Sequence, residues 1–141
     1  MSGERDLRLL LSNMNPSLSE GEFVFCSLDE ARLGKLGVHP IATFRESEAI
    51  SAIIPRQTAD DEGLEYSFIA RLITIGVYSS LDAVGLIAAI AGKLAEAGIS
   101  VNPVSAYFHD YLFVPTDKAH EAMAALEAMI DDSAIGLVGA D

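Results

Sequence analysis

The segment Ser79–Gly85 (SSLDAVG) joins a run rich in Ile, Val and Thr to an apolar stretch with helical spacing. The first N–H groups of a helix have no partner within the helix and carry partial positive charge, so a carboxylate can bind there. Gly85 lets a ligand come close to the backbone, and Asp82 can accept a hydrogen bond from an ammonium group. The turn therefore predicts a site for a small zwitterion, formed by Ser79, Ser80, Leu81, Asp82, Ala83, Val84 and Gly85.

Asn102, on a neighbouring predicted strand, offers a donor and acceptors to the same ligand. A purely structural interpretation of these residues stays open beside the functional one. In that interpretation Ser80 caps the helix, Asp82 complements its dipole, Gly85 permits close helix packing and Asn102 is a solvated edge residue. Residue types alone do not separate the two interpretations.

The pair His109-Asp110 has residue types suited to acid/base chemistry or metal binding. Adjacent residues on a strand point to opposite faces, however, and a metal site needs three or four ligands, which His39 and His120 do not supply by spacing. Asp110 is therefore predicted to act in the turn, and His109 to contribute to a ligand rim or a pH-sensitive interface. Phosphate-loop, dinucleotide and nucleophile-elbow motifs are absent, so no catalytic residue, metal or cofactor is predicted.

The elements around the turn form a βαββ pattern that a further helix follows. Gly98 is expected to end the first helix, and Pro103, which cannot donate to a ladder, is expected on an edge strand, as the second strand is in the sheet order 4-1-3-2. The predicted elements are a strand over 69–78, a helix over 83–97, a hairpin over 99–115, a helix from Thr116 to near Asp131 and a last strand over 135–138.

The first half of the chain predicts a second α+β layer of similar size. Its elements are a helix over 6–14 ended by Asn15-Pro16, a strand over 22–28, a loop over 29–40, a hairpin over 41–54 and a helical turn over 58–63. A domain boundary is expected at the acidic segment before the long strand. The predicted domains are therefore residues 1–64 and 65–141.

Composition narrows the classes of function. The net charge of −12 argues against nucleic-acid binding, which needs clustered Lys and Arg. No apolar run is long enough to span a membrane and no signal peptide is recognisable, so a cytoplasmic protein is expected. The single cysteine, Cys26, is expected to be a small buried hydrophobe. Half of the residues are hydrophobic, and Lys93 and Glu96 are the only charges of the 83–97 helix, so a homodimer or higher oligomer is expected.

The chain resembles the ACT domains, and within them bacterial tandem ACT proteins of the aspartate-kinase regulatory type. The resemblance rests on SSLDAVGL at 79–86, AxxGISxN at 95–102, HDYLFVP at 109–115, GEFVF at 21–25 and ATFRE at 42–46. It implies an α+β fold of two ferredoxin-like βαββαβ units with antiparallel sheets. It also implies that the protein senses a small metabolite, usually an amino acid, at an interface between ACT units, without catalysis.

Three hypotheses about function follow. The first is a non-enzymatic regulatory protein that binds an amino acid at the residues named above and at His109. The second is a ligand-independent interaction or oligomerisation module, which predicts a well-packed turn with no cavity. The third is a small acid/base enzyme, which requires the side chains of His109 and Asp110 to converge on one pocket.

Overall fold

The computed structural model describes residues 3–138, and the side chains of residues 3–134. Backbone contacts divide the chain into two compact units: an inner unit, Glu20–Arg71, and a flanking unit that combines Met1–Ser19 with Leu72–Asp141. This division differs from the expected boundary between residues 64 and 65. The first 19 residues group with the C-terminal part of the chain, because residues 16–18 pair with residues 73–75 in the sheet of the flanking unit.

The inner unit is a complete βαββαβ sandwich. Its elements are β2 (Phe23–Leu28), α2 (Glu30–Gly34), β3 (Ala42–Arg45), β4 (Ile50–Pro55), α3 (Arg56–Asp61) and the first part of β5 (Ser67–Ile75). The strands lie in the order β3-β4-β2-β5, and the pairs β3–β4, β4–β2 and β2–β5 are antiparallel. Apolar side chains that alternate along β2 and β4 form the core with Ala59 and Leu64.

Two expectations for this unit have different outcomes. Cys26 is buried at 5% exposure, as expected, and burial raises the pKa of its thiol. The predicted loop over 29–40 is wrong at its start, because α2 forms there. The carboxylate of Asp29 accepts a hydrogen bond of 2.7 Å from the N–H of Arg32, which caps the short helix. The glycines at 34 and 37 favoured a loop in the sequence, although Asp29 is a residue type that often caps a helix.

The flanking unit has the same sandwich topology, but its strands come from two parts of the chain. Its elements are α1 (Leu7–Ser12), β1 (Pro16–Leu18), the second part of β5, α4 (Leu86–Glu96), β6 (Asn102–Ser105), β7 (Asp110–Pro115), a 3-10 turn (Thr116–Lys118) and α5 (Ala119–Val138). β5 lies between β1 and β7, and β6 is the edge strand beyond β7. The resulting order is the expected 4-1-3-2, with β1 in the fourth position.

The expected last strand over 135–138 is wrong, because the backbone of these residues continues α5. The sequence from Ala119 is rich in Ala, Met and Leu and has no glycine before Gly136, so nothing stops the helix near Asp131. β1 pairs antiparallel with β5, Pro16 opposite Ile75, and already fills the place of a fourth strand. Thr116 is also not an N-cap, since it is the first residue of the 3-10 turn.

Helix α4 begins at Leu86, three residues later than predicted. Gly85 has φ of 103°, a left-handed conformation that cannot be part of a helix. The buried stripe is Leu86, Ile90 and Leu94, whereas Val84, which lies within the predicted helix but before the observed one, is 83% exposed. α1 and α5 both contact α4, so much of its apolar surface is covered within the chain.

Several predictions in the flanking unit are confirmed. α1 forms within the predicted range and buries Leu10 completely, and Met14, two residues after the helix, is also fully buried. Asp6 caps the helix, because its carboxylate accepts from Arg8 and Leu9 N–H. Gly98, at φ of 73°, ends α4 as a C′ residue. Pro103 lies on the edge strand β6. The fold class, two α+β ferredoxin-like units with antiparallel sheets, is confirmed.

Candidate functional site

The N-terminal segment of the chain holds the Ser79–Gly85 turn in place. Glu4 pairs with the strand end: its N–H donates to Tyr78 C=O at 2.9 Å, and its C=O accepts from Ser80 N–H at 2.8 Å. Gly76 N–H donates to Asn15 C=O at 3.1 Å, and a Cβ at Gly76 would lie only 2.8 Å from that oxygen. The turn is therefore fixed by residues that are distant in the sequence.

A buried carboxylate lies beside the turn. Asp110 is 6% exposed, and its two oxygens accept hydrogen bonds from Ser105 Oγ at 2.6 Å and Ser79 Oγ at 3.1 Å. Ser105 ends β6 and pairs with Asp110, the first residue of β7. The hairpin thus brings the carboxylate to the end of β5 where the turn begins.

The start of α4 faces the same place. The first bond of its ladder runs from Ala89 N–H to Gly85 C=O, so the N–H groups of Leu86, Ile87 and Ala88 precede the ladder. These groups carry the partial positive charge of the helix N-terminus. Gly85 makes no side-chain cap bond to them.

A cavity of about 120 Å³ lies among these groups. It is lined by Ser79, Ser80, Leu81, Ala83, Gly85, Leu86, Ile87, Ala88, Ser105 and Asp110. Five of the predicted site residues therefore meet at one cavity, with a carboxylate, serine hydroxyls and the beginning of a helix in its wall. Such a wall offers both acceptors for a cation and donors for an anion.

Asp82 is not part of this wall. Its side chain is 65% exposed and pairs with Arg5, Nη2 to Oδ2, at 3.0 Å. The hydroxyl of Ser80 donates to its carboxylate, and this bond, with the nearby Arg5 charge, lowers the pKa of Asp82 below its ordinary value. Asp82 therefore stabilises the turn from its solvent side.

Three other predicted site residues also lie away from the cavity wall. Val84 points to solvent, and Asn102 is exposed at the start of β6, three residues before Ser105. His109 lies with Nδ1 3.5 Å from Val77 C=O, packed near the rings of Phe108 and Tyr111. No hydrogen bond joins the His109 ring to Asp110 within the described part of the chain, so the geometry gives the acid/base hypothesis no support.

Ser105 and Asp110 line the cavity, although neither was among the ligand-binding residues that the sequence predicted. Both were visible as the two ends of a four-residue hairpin loop, which places them opposite each other. The sequence did not indicate that this end of the hairpin would be buried against Ser79. Helix α4 also starts late enough that Ile87 and Ala88, and not Ala83 and Val84, lie in its first turn.

Among residues 3–134, whose side chains the structure describes, no group of three or more His, Cys, Asp and Glu is arranged to hold a metal ion. No helix in residues 3–138 is both long and apolar enough to cross a membrane.

Two βαββαβ units in one chain define a tandem ferredoxin-like α+β protein. ACT-domain profiles match residues 2–71 and residues 67–128, and together they span most of the sequence. The chain belongs to the ACT-domain family. ACT domains are regulatory modules, typically ones that bind amino acids.

Solved structures show the same fold over most of the chain. A Vibrio cholerae protein of unknown function, VC0802, described as a possible transport protein, is 44% identical, with a TM-score of 0.78 over 88% of this chain and 95% of its own. Aspartokinase α and β subunits give 13% identity and a TM-score of 0.60 over 82% and 97%. The regulatory subunit of Thermus flavus aspartate kinase gives 10% and 0.57 over 81% and 95%. No curated protein matches the sequence.

Proposed function

We propose that this protein is a non-enzymatic regulatory protein that binds an amino acid, or a similar small zwitterion, at the cavity beside the start of α4. The observation that carries the proposal is the cavity itself, which lies where an ACT-domain chain leaves its first strand and begins its first helix. The interaction-module hypothesis expects that turn to be packed without a cavity. We also propose a cytoplasmic location, which the single buried cysteine supports.

Electrostatics favours a ligand carboxylate at this helix start. The N–H groups of Leu86, Ile87 and Ala88 belong to the first turn of an 11-residue helix, and all three residues line the cavity. N–H groups in this position stabilise an anion through hydrogen bonds and through the helix dipole together. Within the described part of the chain, no side-chain hydrogen bond caps the start of α4, so its first N–H groups are available to a ligand carboxylate.

The first test is isothermal titration of the full chain with each of the standard amino acids, with an obstructing variant. Ala88 is exposed on α4 and lines the cavity, so Ala88→Phe should block the site and weaken binding at least about tenfold. Ala95→Phe is the matched control, because Ala95 is exposed on the same helix outside the cavity. Equal binding by Ala88→Phe and the wild type would contradict the proposed location.

Asp82→Ala tests whether the ligand uses the solvent side of the turn. Binding at the cavity leaves the affinity of this variant close to that of the wild type, because Asp82 is outside the wall. A large loss of affinity would instead place the ammonium group of the ligand at Asp82, as the sequence suggested. Failure of every amino acid to bind the wild type would end the ligand proposal.

The alternative function is a ligand-independent interaction or oligomerisation module. Exposed hydrophobic side chains favour it: Tyr107 and Phe108 are 63% and 58% exposed at the β6–β7 turn, and Leu81 and Val84 are exposed nearby in sequence to the cavity residues. β6 is also an unpaired sheet edge within the chain. Light scattering after size exclusion tests self-association. A pull-down that recovers the same partner with and without amino acids would favour this alternative.

A further inference from the structure

Asp110 is a buried carboxylate without a positive partner among the described residues. Its oxygens accept only from the hydroxyls of Ser79 and Ser105, which are neutral donors. The ion pairs of the described chain involve other carboxylates, and Asp110 is in none of them. Burying a carboxylate is unfavourable unless a cation or several strong donors compensate it. The side chain lines the cavity, so a cation could approach it from there.

The inner unit shows that the fold does not need an acid at this position. Its hairpin β3–β4 has the same register as β6–β7, because Arg45 opposite Ile50 corresponds to Ser105 opposite Asp110. The second strand of each hairpin, β4 or β7, ends in proline. Ile50 is buried at 5% exposure, nearly the same as Asp110. An apolar residue therefore suits this buried position in one unit. In the other unit Asp110 joins the hairpin to the turn through the hydroxyls of Ser105 and Ser79, which leaves its charge without a cation among the described residues.

The residues opposite these two positions, Arg45 and Ser105, also make different contacts. Arg45 forms an ion pair with Glu30, at the beginning of α2, whereas Ser105 turns its hydroxyl to Asp110. Neither Arg45 nor Ile50 lines any cavity described for the inner unit. Among the described residues and cavities, the flanking unit is the one that combines a buried acid, hydroxyl groups and a cavity next to a helix start.

We infer that Asp110 is the residue that recognises the ammonium group of the ligand, and that the cavity therefore selects 2-amino acids over 2-hydroxy acids. This inference rests on the proposed function, because the carboxylate of the same ligand binds at the start of α4. An ammonium group supplies the missing charge and can donate to the remaining acceptor positions of the Asp110 carboxylate. The corresponding position of the inner unit is the apolar Ile50, which offers no charge to an ammonium group.

The size of the cavity fits this assignment. A cavity of about 150 Å³ is known to hold benzene, which has six non-hydrogen atoms. The cavity of about 120 Å³ found here therefore has room for an amino-acid head group, with at most a small side chain enclosed. A larger side chain would extend past the exposed Leu81 at the cavity edge.

The test compares matched ligands by two-dimensional ¹H–¹⁵N NMR of the full chain. Glycine, L-alanine and L-serine are titrated beside glycolate, L-lactate and L-glycerate, which keep the carboxylate but carry a hydroxyl in place of the ammonium group. The variants are Asp110→Asn, which removes the charge, and Asp110→Ile, which places there the residue of the inner unit. Asp117→Asn is the control, because it makes the same charge change at an exposed position outside the cavity.

We expect the wild type and Asp117→Asn to bind the amino acids at least about tenfold more tightly than the hydroxy acids, and both Asp110 variants to lose this preference. Equal binding of L-alanine and L-lactate, or unchanged binding in a folded Asp110→Asn, would overturn the role of Asp110 and leave amino-acid binding intact. Potassium chloride that reproduces the L-alanine shifts would also overturn it, in favour of a metal cation. Absence of any amino-acid binding would remove the proposed function itself. If both Asp110 variants fail to fold, the comparison of each amino acid with its hydroxy acid on the wild type still tests whether the site selects an ammonium group.

Discussion

Asp82 and Asp110 have the same type of side chain, a carboxylate, and each accepts a hydrogen bond from at least one serine hydroxyl. Asp82 is exposed and has Arg5 at 3.0 Å, so water and a cation stabilise its charge in the free protein. Asp110 is buried and forms no ion pair within the described part of the chain. The sequence favoured Asp82 as the ammonium-binding group because it lies in the turn. We propose Asp110 instead, since a buried carboxylate gains more than an exposed one when a cation arrives.

The first prediction at the residue scale concerns the pKa of Asp82. It lies below its ordinary value mainly because the Ser80 hydroxyl donates to the carboxylate, with a smaller effect from Arg5. Ser80→Ala should therefore raise the pKa of Asp82 more than Arg5→Ala does, as measured by NMR titration of the side-chain carboxyl. A larger rise in Arg5→Ala would contradict this order of causes.

The same shift fixes a direction for acid stability. Because the folded pKa of Asp82 is lower than the unfolded one, its contribution is present above the unfolded pKa and is lost as the pH falls through the folded pKa. The side chain is exposed, so this contribution is small. It belongs mainly to the Ser80–Asp82 hydrogen bond within the turn, with a smaller part from the ion pair with Arg5.

At the scale of elements, α4 is the part of the molecule that joins the cavity to the core. Leu86, Ile90 and Leu94 fix it against the sheet and the other helices, while its first N–H groups line the cavity. Its start is set by Gly85, whose left-handed conformation ends the turn, and its end by Gly98. A shift of this helix would therefore move the wall of the site.

Two glycines near α4 should respond in opposite ways to alanine. Gly85 has φ of 103°, and a Cβ there would lie 3.2 Å from Leu7 Cδ2, so Gly85→Ala should lower the free energy of unfolding by about 1–2 kcal/mol. Gly92 lies inside α4 with open space around a Cβ, so Gly92→Ala should raise it by about 0.5–1 kcal/mol. Urea denaturation measures both. Equal effects of the two changes would show that Gly85 is not strained by a side chain.

At the scale of the whole molecule, the flanking unit depends on the first 19 residues. β1 pairs with β5 as the fourth strand, and Leu10 and Met14 are fully buried in the core with α4 and α5 residues. The inner unit is thus inserted in sequence between two segments of one fold. The predicted division into two successive domains, residues 1–64 and 65–141, does not include this arrangement.

A fragment experiment tests the arrangement. Residues 65–141 alone, the C-terminal domain that the sequence suggested, should show no cooperative urea transition, because they lack β1 and the apolar face of α1. The same fragment followed by a flexible linker and residues 1–19 should recover a cooperative transition. Cooperative unfolding of the shorter fragment, with the same midpoint as the longer one, would show that the N-terminal segment is dispensable for this unit.

Local patterns were sufficient for most of the elements. The apolar spacing of α1 and α4 and the two hairpins were predicted within a few residues, because period and turn chemistry are local properties. The errors lie where a distant segment decides. The strand predicted over 135–138 is wrong because β1 occupies that place in the sheet. The late start of α4 depends on the left-handed conformation of Gly85, which the spacing of apolar residues does not show.

The sequence by itself determined the fold class, the edge position of Pro103 and the turn where a ligand site should be sought, because periodicity, proline chemistry and helix starts are encoded within short segments. Only the tertiary structure decided which residues form that site. It buried Asp110 beside Ser79 and Ser105, turned Asp82 and Val84 to solvent, and assigned the first 19 residues to the flanking unit. The burial of a side chain and the pairing of strands depend on residues far apart in the chain. These two properties determine whether a carboxylate is shielded from water and whether a cation lies beside it.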